Sequence, residues 1–352
     1  MATYTRTIEN GKIFVGIDIH KRTWYVTIIT GDGEELFSRG IPANWDNLKK
    51  LLNRYKRDTV RVVYEAGYFG YWLHDLLIEH GCHCIVTPPS LIPQEYGNRV
   101  KTDRRDSRKL ALLLAKSMLK RVYVPTKKER YHRQVLRRRR QLIGDRIRTQ
   151  NRIKSELMFY GIPLPQIRGN WSKTFMRYIW GIHFKDPWMQ ESYHQLLELY
   201  GYLSNQIDKQ TALLKELSQT DRYRDRVQIL TSIPGIGLIG AMELLLELQD
   251  VARFKRADQL AAYVGLTPSQ YSSADKIRMG HITRIGKNQL RALLIESSWH
   301  LIRKDENIRI KYEQILLRSG SKRAIVAIAR RLLLCSRRML LDGKPYSTSS
   351  AA

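Results

Sequence analysis

A dense run of positive charge in the middle of the chain restricts its fold more than any other feature. Residues 99–154 contain 21 Lys and Arg against 4 Asp and Glu, and so carry +17 of the net charge of +28. The apolar residues that recur at roughly helical spacing through this region are Leu136, Ile143, Ile147, Ile153 and Leu157. The pattern predicts a long basic helix with one narrow apolar stripe. One interpretation of this helix is a coiled coil whose charged face is solvated. However, so many positive charges repel one another unless phosphates neutralise them, which favours contact with phosphates.

The composition of the chain limits the classes of protein to which it can belong. The length of 352 residues suggests two domains or one domain with a large insertion. Apolar residues make up 43% of the chain, which is enough for real cores and argues against wholesale disorder. A pI near 10.1 argues against an enzyme of small neutral metabolites and for a polyanionic partner, with nucleic acid first. Three cysteines cannot build a disulfide framework, and neither a signal peptide nor a membrane-spanning run is expected. We therefore expect a cytoplasmic protein with no membrane contact.

The first 125 residues alternate strand and helix patterns. Short β-rich runs with a Gly-Asp-Gly turn predict three strands, and helices then alternate with two further strands up to Pro125. The predicted strands are 13–17, 24–29, 34–41, 60–64 and 84–86, and the predicted helices are 44–55, 71–80 and 103–119. This order predicts an α/β domain with a mixed sheet over residues 1–125.

The rest of the chain has a helical pattern. The basic helix covers about 127–160, residues 164–190 are expected to be irregular, and 191–220 is a second long helix that could pair with the first as an antiparallel coiled coil. Further helices are predicted at 238–248, 257–264, 287–302, 307–318 and 322–341. We therefore expect an α-helical coiled-coil middle over 126–225 and a mainly α-helical C-terminal domain over 226–345.

Four acidic residues stand out by their positions. Asp18 and Glu65 each end a predicted apolar strand, where an unpaired carboxylate is costly, and Asp103 and Asp106 open a predicted helix with i, i+3 spacing. Strand-end acids beside a helix-borne pair are typical of a two-metal site that attacks a phosphodiester, and Mg²⁺ prefers such oxygen ligands.

Each acid also has a simpler interpretation. Asp103 could cap the helix with Asp106 in its first turn, where the helix dipole favours negative charge. Asp18 could pair with Lys21 or Arg22, and Glu65 could be solvated. The joint pattern indicates a metal site more strongly than any single acid does.

A serine-containing segment near residue 272 carries a second candidate site. We expect Ser272 and Ser273 to lie in a loop among several cations, and a hydroxyl in such surroundings can attack phosphorus. From the residues alone, helix capping or phosphate contact by these serines is the favoured interpretation. The Pro-Gly turn at 233–237 resembles a helix-hairpin-helix element, whose backbone amides can hold a phosphate.

Three short motifs and the serine segment together resemble a known family. They are Gly16-Ile17-Asp18-Ile19-His20-Lys21, Tyr64-Glu65-Ala66-Gly67, Thr102-Asp103-Arg104-Arg105-Asp106, and the C-terminal Gly265-Leu266-Thr267-Pro268, Tyr271-Ser272-Ser273 and Gly280-His281-Ile282-Thr283-Arg284-Ile285-Gly286. In this order they resemble the DEDD transposases of bacterial insertion sequences, which are bridge-RNA-guided recombinases.

The resemblance implies a fold, a site and a chemistry. It implies an N-terminal RNase H or RuvC-like domain in which Asp18, Glu65, Asp103 and Asp106 hold two Mg²⁺ ions. It also implies a catalytic serine that forms a covalent phosphoserine with DNA. The family serine commonly precedes a glycine, whereas Ser273 precedes Ala274, so Ser273 is the expected nucleophile and Ser272 the alternative.

The resemblance also implies partners. These are donor and target DNA, a structured non-coding guide RNA, and further copies of the chain in dimers and tetramers, with the protein bound at the bacterial nucleoid. Base pairing would then read the sequence, while basic side chains hold the backbones. The expected nucleic-acid-binding residues are Arg104, Arg105, Arg137, Arg138, Arg139, Arg140, Arg146, Arg148, Lys276, Arg278, Arg284 and Lys287.

Two other functions remain open at this point. A Holliday-junction-type nuclease would use the same acids to hydrolyse the backbone with water, and its serines would only bind phosphate. A non-catalytic nucleic-acid-binding scaffold would use the cations alone.

Overall fold

The protein is described here by a computed structural model, which covers residues 11–94, 102–165, 171–271, 278–283 and 285–347. The chain divides into two compact units, Met1–Pro125 and Thr126–Ala352. Each unit has its own hydrophobic clusters. The further division of the second unit at residue 225 stays a prediction.

The first unit is built on a five-stranded sheet. Its strands are β1 (Ile13–Ile19), β2 (Thr23–Ile29), β3 (Glu35–Pro42), β4 (Val60–Glu65) and β5 (His83–Thr87). They lie in the order β3-β2-β1-β4-β5, in which β1, β2 and β3 pair antiparallel and β1, β4 and β5 pair parallel. The predicted mixed sheet is confirmed, and it is consistent with the RNase H-like fold that the resemblance implies.

In the described part of this unit, the α-helices are α1 (Trp45–Leu52), α2 (Trp72–Glu79) and α3 (Asp103–Ala115). Helix α3 begins at the predicted residue and ends four residues before the predicted end at 119. The early end has a local cause, because Ser117 adopts a positive φ of 55° that a continuing helix does not allow.

The two faces of β1 have different partners, as the alternation of side chains along a strand requires. Ile13, Val15 and Ile17 are buried in the larger of the unit's clusters. On the opposite face, helix α3 approaches Gly16 so closely that a Cβ atom there would collide with the Ser107 carbonyl oxygen and lie 2.6 Å from the Ala111 amide nitrogen. The bare glycine backbone therefore sets how near α3 can lie to the centre of the sheet.

A buried hydrogen bond fixes α3 along the sheet. Ser107 and Thr27 are fully buried, and their hydroxyl oxygens lie 2.8 Å apart. Thr27 is the β2 residue paired with Gly16 of β1, so this bond joins α3 to the sheet at the place of closest approach. Together the two contacts hold the first turn of α3 near the carboxyl end of β1.

The second unit is mainly helical. Its helices are α4 (Lys127–Phe159), α5 (Lys173–Trp180), α6 (Pro187–Ser218), α7 (Arg224–Thr231), α8 (Leu238–Leu248), α9 (Ala257–Val264), α10 (Asn288–Lys304), α11 (Glu306–Ser319) and α12 (Ser321–Asp342). A short two-stranded ribbon joins β6 (Pro268–Gln270) to β7 (Met279–Ile282). Across the described residues, no helix combines the length and apolarity that a bilayer crossing requires.

The two long helices, α4 and α6, pack against each other in opposite directions. Ile153 and Leu157 of α4 share a buried cluster with Tyr193 and Leu197 of α6. Towards the start of α4, the Arg139 Nε donates a hydrogen bond of 2.8 Å to the Thr211 hydroxyl. The predicted antiparallel pairing is therefore observed, while a regular coiled coil stays a prediction.

Two segments differ from the sequence-based expectation. Residues 164–190 were predicted to be irregular, but α5 forms there because Ser172 caps it and Phe175 and Ile179 are buried on one face. The segment around the serines was predicted to be a loop, yet β6 and β7 pair on either side of it. Strands of three and four residues are too short to give a clear alternation.

The approach of α3 to β1 gives a first prediction. Gly16→Ala should lower the free energy of unfolding by about 1–3 kcal/mol, because the new methyl group forces α3 away from the sheet. Chemical denaturation followed by circular dichroism measures the change. Gly31→Ala is the control, since a Cβ at that turn position meets only Phe14 at 3.9 Å. Equal, small losses in both variants would contradict this account of the packing.

Candidate active site

Two predicted acids lie side by side at the carboxyl edge of the sheet. The last paired residues of the parallel strands β1 and β4 are Ile17 and Tyr64, and Asp18 and Glu65 follow directly. Both continue the face that carries Gly16 and Val63, which is the face packed against α3. Neighbouring parallel strands and a shared face thus bring together two residues that are distant in sequence.

The other two predicted acids lie in the first turns of α3. Thr102 caps this helix by accepting a hydrogen bond of 3.3 Å from the Arg105 amide. The interpretation of Asp103 as the cap is therefore wrong, because the residue before it takes that role. Asp103 lies four residues before the buried Ser107, on the side of α3 that faces the sheet. Asp103 and Asp106 are consequently not needed as caps.

Asp18 and Asp103 come together around a histidine. The His20 Nε2 lies 3.2 Å from the Asp18 Oδ2 and 3.5 Å from the Asp103 Oδ1. One potential ligand atom from each of these three residues lies within 4.8 Å of the others. Such a cluster of two carboxylates and an imidazole fits a divalent cation.

The charges of Asp103 and Asp106 on α3 affect the pKa of Asp18. Partial burial raises the pKa of Asp18, the neighbouring His20 opposes that shift, and the negative charges of Asp103 and Asp106 raise the pKa further. Like charges this near each other are unfavourable without a counter-charge. A bound cation at this edge would supply one.

His20 is a site residue that the sequence reasoning did not include. It stood within the first motif, two positions after Asp18, but its neighbour on α3 is more than 80 residues away in sequence. The sequence does show a histidine at the end of a strand, close to the selected acid Asp18. It does not show that His20 lies beside Asp103, because that contact depends on where α3 packs on the sheet.

The second candidate site lies only partly in the described structure. Ser272, Ser273, Lys276 and Arg284 lie outside the described residues, so their predicted roles stay predictions. Tyr271 and Arg278 are the described residues next to this segment. The Tyr271 amide donates a hydrogen bond of 2.9 Å to the Arg278 carbonyl oxygen. Arg278 is exposed, as its predicted role in nucleic-acid binding requires.

A buried carboxylate gathers cations from the basic helix. Glu247 of α8 is 3% exposed and lies 3.3 Å from the Arg137 Nε, 3.4 Å from the Arg140 Nη1 and 3.9 Å from the Arg133 Nε. A further cation, the Lys287 ammonium, comes from the residue just before α10 and lies 3.2 Å from the Glu247 carboxylate. Burial alone would raise the pKa of Glu247, but these cations hold it below its usual value.

Several predicted nucleic-acid-binding residues therefore also have a structural role. Arg140 pairs with Glu243 as well as Glu247, and Arg139 bonds to Thr211. Arg104 lies 3.6 Å from Glu35, and Arg148 pairs with Asp145. Arg105 and Arg138 are exposed, and Arg146 is partly buried. Nothing in these contacts prevents a phosphate from reaching the exposed guanidinium groups.

Comparison with known families gives two matches. Residues 15–162 match a DEDD transposase model of the IS110 type, and residues 227–313 match the model described as transposase of the IS116/IS110/IS902 family. The two segments together make up about two thirds of the chain. The first contains all four acids, and the second contains both serines.

Individual relatives agree with these matches. A candidate transposase of Sinorhizobium fredii, y4qE, is 29% identical over 290 residues, which are 81% of this chain and 71% of that protein. The transposase for insertion sequence element IS1533 of Leptospira borgpetersenii is 28% identical over 68% of this chain and 70% of its own length. The transposase for IS1111A of Coxiella burnetii is 27% identical over 70% of this chain and 68% of its own length.

The cation cluster around Glu247 gives a second prediction. Glu247→Gln should destabilise the second unit by about 1–3 kcal/mol near neutral pH, because the partly exposed cations around it lose their counter-charge. The pKa of Glu247 is lower in the folded chain than its ordinary value of 4.5, so its contribution is complete above that pH and is lost as the pH falls through the folded value.

Denaturation of both proteins from neutral to acidic pH measures this effect. The difference in unfolding free energy between wild type and variant should shrink as the pH falls below about 4.5. Glu216→Gln, on the exposed side of α6, is a control that removes one carboxylate outside the cluster. A difference that grows towards acidic pH would contradict the assignment.

Proposed function

The chain belongs to the IS110 family of insertion-sequence transposases, and from this premise we propose how its residues cut and rejoin DNA. Enzymes of this kind cleave DNA strands and join them to new partners. In our proposal, a metal-bound acidic site in the first unit works together with a serine nucleophile in the second. The convergence of Asp18 and Asp103 at one edge of the sheet is the observation that carries the proposal.

The acidic site suits a divalent cation, as a DEDD transposase requires. Asp18, Glu65, Asp103 and Asp106 would supply oxygen ligands, a donor set that Mg²⁺ prefers, and we propose two ions per site. When bound, the ions stabilise negative charge on the phosphate and on the oxygen that leaves it. The His20 Nε2 would donate a hydrogen bond to the Asp18 carboxylate and so orient it.

The serine supplies the covalent step of the proposal. The Ser273 hydroxyl oxygen loses its proton and bonds to phosphorus, the bond from phosphorus to the sugar oxygen breaks, and the sugar oxygen takes up a proton. The phosphate end of the cut strand stays bound to the serine, while the other end carries the sugar hydroxyl. The hydroxyl of a second strand can then attack this phosphorus and displace the serine oxygen, which takes back a proton, so joining needs no other energy source. Ser272 is the alternative nucleophile.

The remaining parts of the proposal concern partners and organisation. We propose donor and target DNA and a structured guide RNA as partners, with the exposed cations of α4 holding the backbones. The pairing of α4 with α6 would act as a coiled-coil arm over 126–225, beside a serine domain over 226–345. Assembly into dimers and tetramers at the nucleoid in the cytoplasm completes the proposal.

The role of the acids gives a third prediction. Asp18→Asn should lower the rate of strand cleavage at least about a hundredfold, because it removes a metal-ligand charge at the edge of the sheet. Cleavage of a labelled donor DNA in the presence of Mg²⁺ measures the rate. Asp32→Asn changes an exposed acid in the turn after β2 and is the matched control. Undiminished cleavage in Asp18→Asn would refute the role of this carboxylate.

The serine gives a fourth prediction. Ser273→Ala should abolish the covalent protein–DNA adduct and leave RNA binding near that of the wild type, whereas Ser272→Ala should keep the adduct. Denaturing gel electrophoresis of end-labelled DNA detects it. An adduct that persists in Ser273→Ala and vanishes in Ser272→Ala would assign the nucleophile to Ser272. Nicked DNA with free ends and no adduct in the wild type would instead favour the metal-dependent nuclease.

A further inference from the structure

A basic cavity of about 780 Å³ lies between α4 and the start of α10. One wall is a single face of α4, since Arg137, Gln141, Gly144 and Arg148 follow one another at spacings of three or four residues. The opposite wall is formed by Lys287 and the first turn of α10. Both walls belong to the second unit.

Positive charge dominates the lining. The lining cations are Arg137, Arg138, Arg140, Arg148 and Lys287, and they face two carboxylates, Glu247 and Asp145. Glu247 is buried and holds Arg137, Arg140 and Lys287 around it, so the positions of these cations are fixed before any ligand arrives. Glu243, next to the lining, also pairs with Arg140, so two cations remain in excess, and an anion from outside would pair with them.

Gly144 is a second and independent feature of the cavity. It lies in the interior of a 33-residue helix, where glycine is one of the least stabilising residues. A Cβ atom at Gly144 would meet only the Arg148 Nη1, at 3.6 Å, which is an ordinary contact. Packing therefore does not require glycine here, but a side chain at this position would occupy the cavity.

We propose that this cavity binds the phosphodiester backbone of a nucleic acid. Pre-positioned guanidinium and ammonium groups in an open, positively charged groove are suited to phosphate oxygens, and the absence of a side chain at Gly144 lets the backbone approach α4. The inference rests on the proposed function in that it assigns one place where the nucleic acid of this recombinase is held. DNA and RNA share this chemistry, so the experiment tests both.

The test compares glycine substitutions in the two long helices. Gly144→Glu places a carboxylate in the cavity, and Gly144→Gln adds the same bulk without the charge. Gly201→Glu is the matched control, because Gly201 lies in the interior of α6, is exposed, and has open space around its Cβ position. All three changes replace a glycine by a better helix former, so each should raise the melting temperature and none should disturb the fold.

Binding is measured by fluorescence anisotropy with a labelled DNA duplex and an RNA duplex of equal length, in EDTA. We expect Gly144→Glu to raise Kd at least about tenfold and Gly201→Glu less than about twofold, with Gly144→Gln in between. The probe that shows the larger difference identifies the nucleic acid held in the cavity. If Kd changes equally for the DNA and the RNA probe, the cavity recognises the phosphodiester backbone without preference for either nucleic acid.

Equal effects of Gly144→Glu and Gly201→Glu on both probes, or no effect of either, would overturn the proposal. Because binding is measured without divalent ions, it does not depend on the acidic site. Binding can therefore be insensitive to Gly144→Glu while strand cleavage still depends on Asp18. Binding can equally be weakened by Gly144→Glu while cleavage does not depend on Asp18, so the two proposals can be tested separately.

Discussion

The close packing of α3 on β1 is the contact on which the proposed chemistry depends. Gly16 lets the helix backbone lie directly on the sheet, and the buried hydrogen bond between Ser107 and Thr27 fixes its position. Asp103 lies one turn before Ser107, and this brings it within reach of Asp18. Three local features therefore bring together carboxylates that are 85 positions apart in the sequence. Without them, the acids at the strand ends would not meet the acids of α3.

A different electrostatic principle organises the second unit. There a buried carboxylate, Glu247, holds cations of α4 and the residue before α10 in one cluster. Part of the positive charge of the basic helix is thus used to fix that helix against the helical core. The remainder faces the cavity or the solvent. One segment of sequence therefore has a structural role beside the binding role that we propose for it, and both roles use the same arginines.

Much of the fold could be predicted because its signals are local. The mixed sheet, the start of α3 at Asp103 and the bounds of α8 and α9 follow from apolar periodicity, caps and turns. The strands β6 and β7 could not be predicted, since three and four residues give too few repeats. Helix α5 was missed although α9 has the same length, because its buried residues Phe175 and Ile179 pack against the distant helices α4 and α6. The pairing of Glu247 with Arg137 joins positions 110 residues apart, and no local pattern encodes it. His20 was missed for the same reason, because its second partner comes from a distant helix.

The central claim is that the acids of the first unit converge on divalent ions. Crystals of the protein soaked with Mn²⁺, a substitute for Mg²⁺ that anomalous scattering locates directly, test it most directly. The account predicts anomalous peaks bound by the carboxylates of Asp18 and Asp103, with Glu65 and Asp106 alongside. Well-ordered carboxylates with no peak between them, or with Asp18 and Asp103 pointing apart, would contradict it.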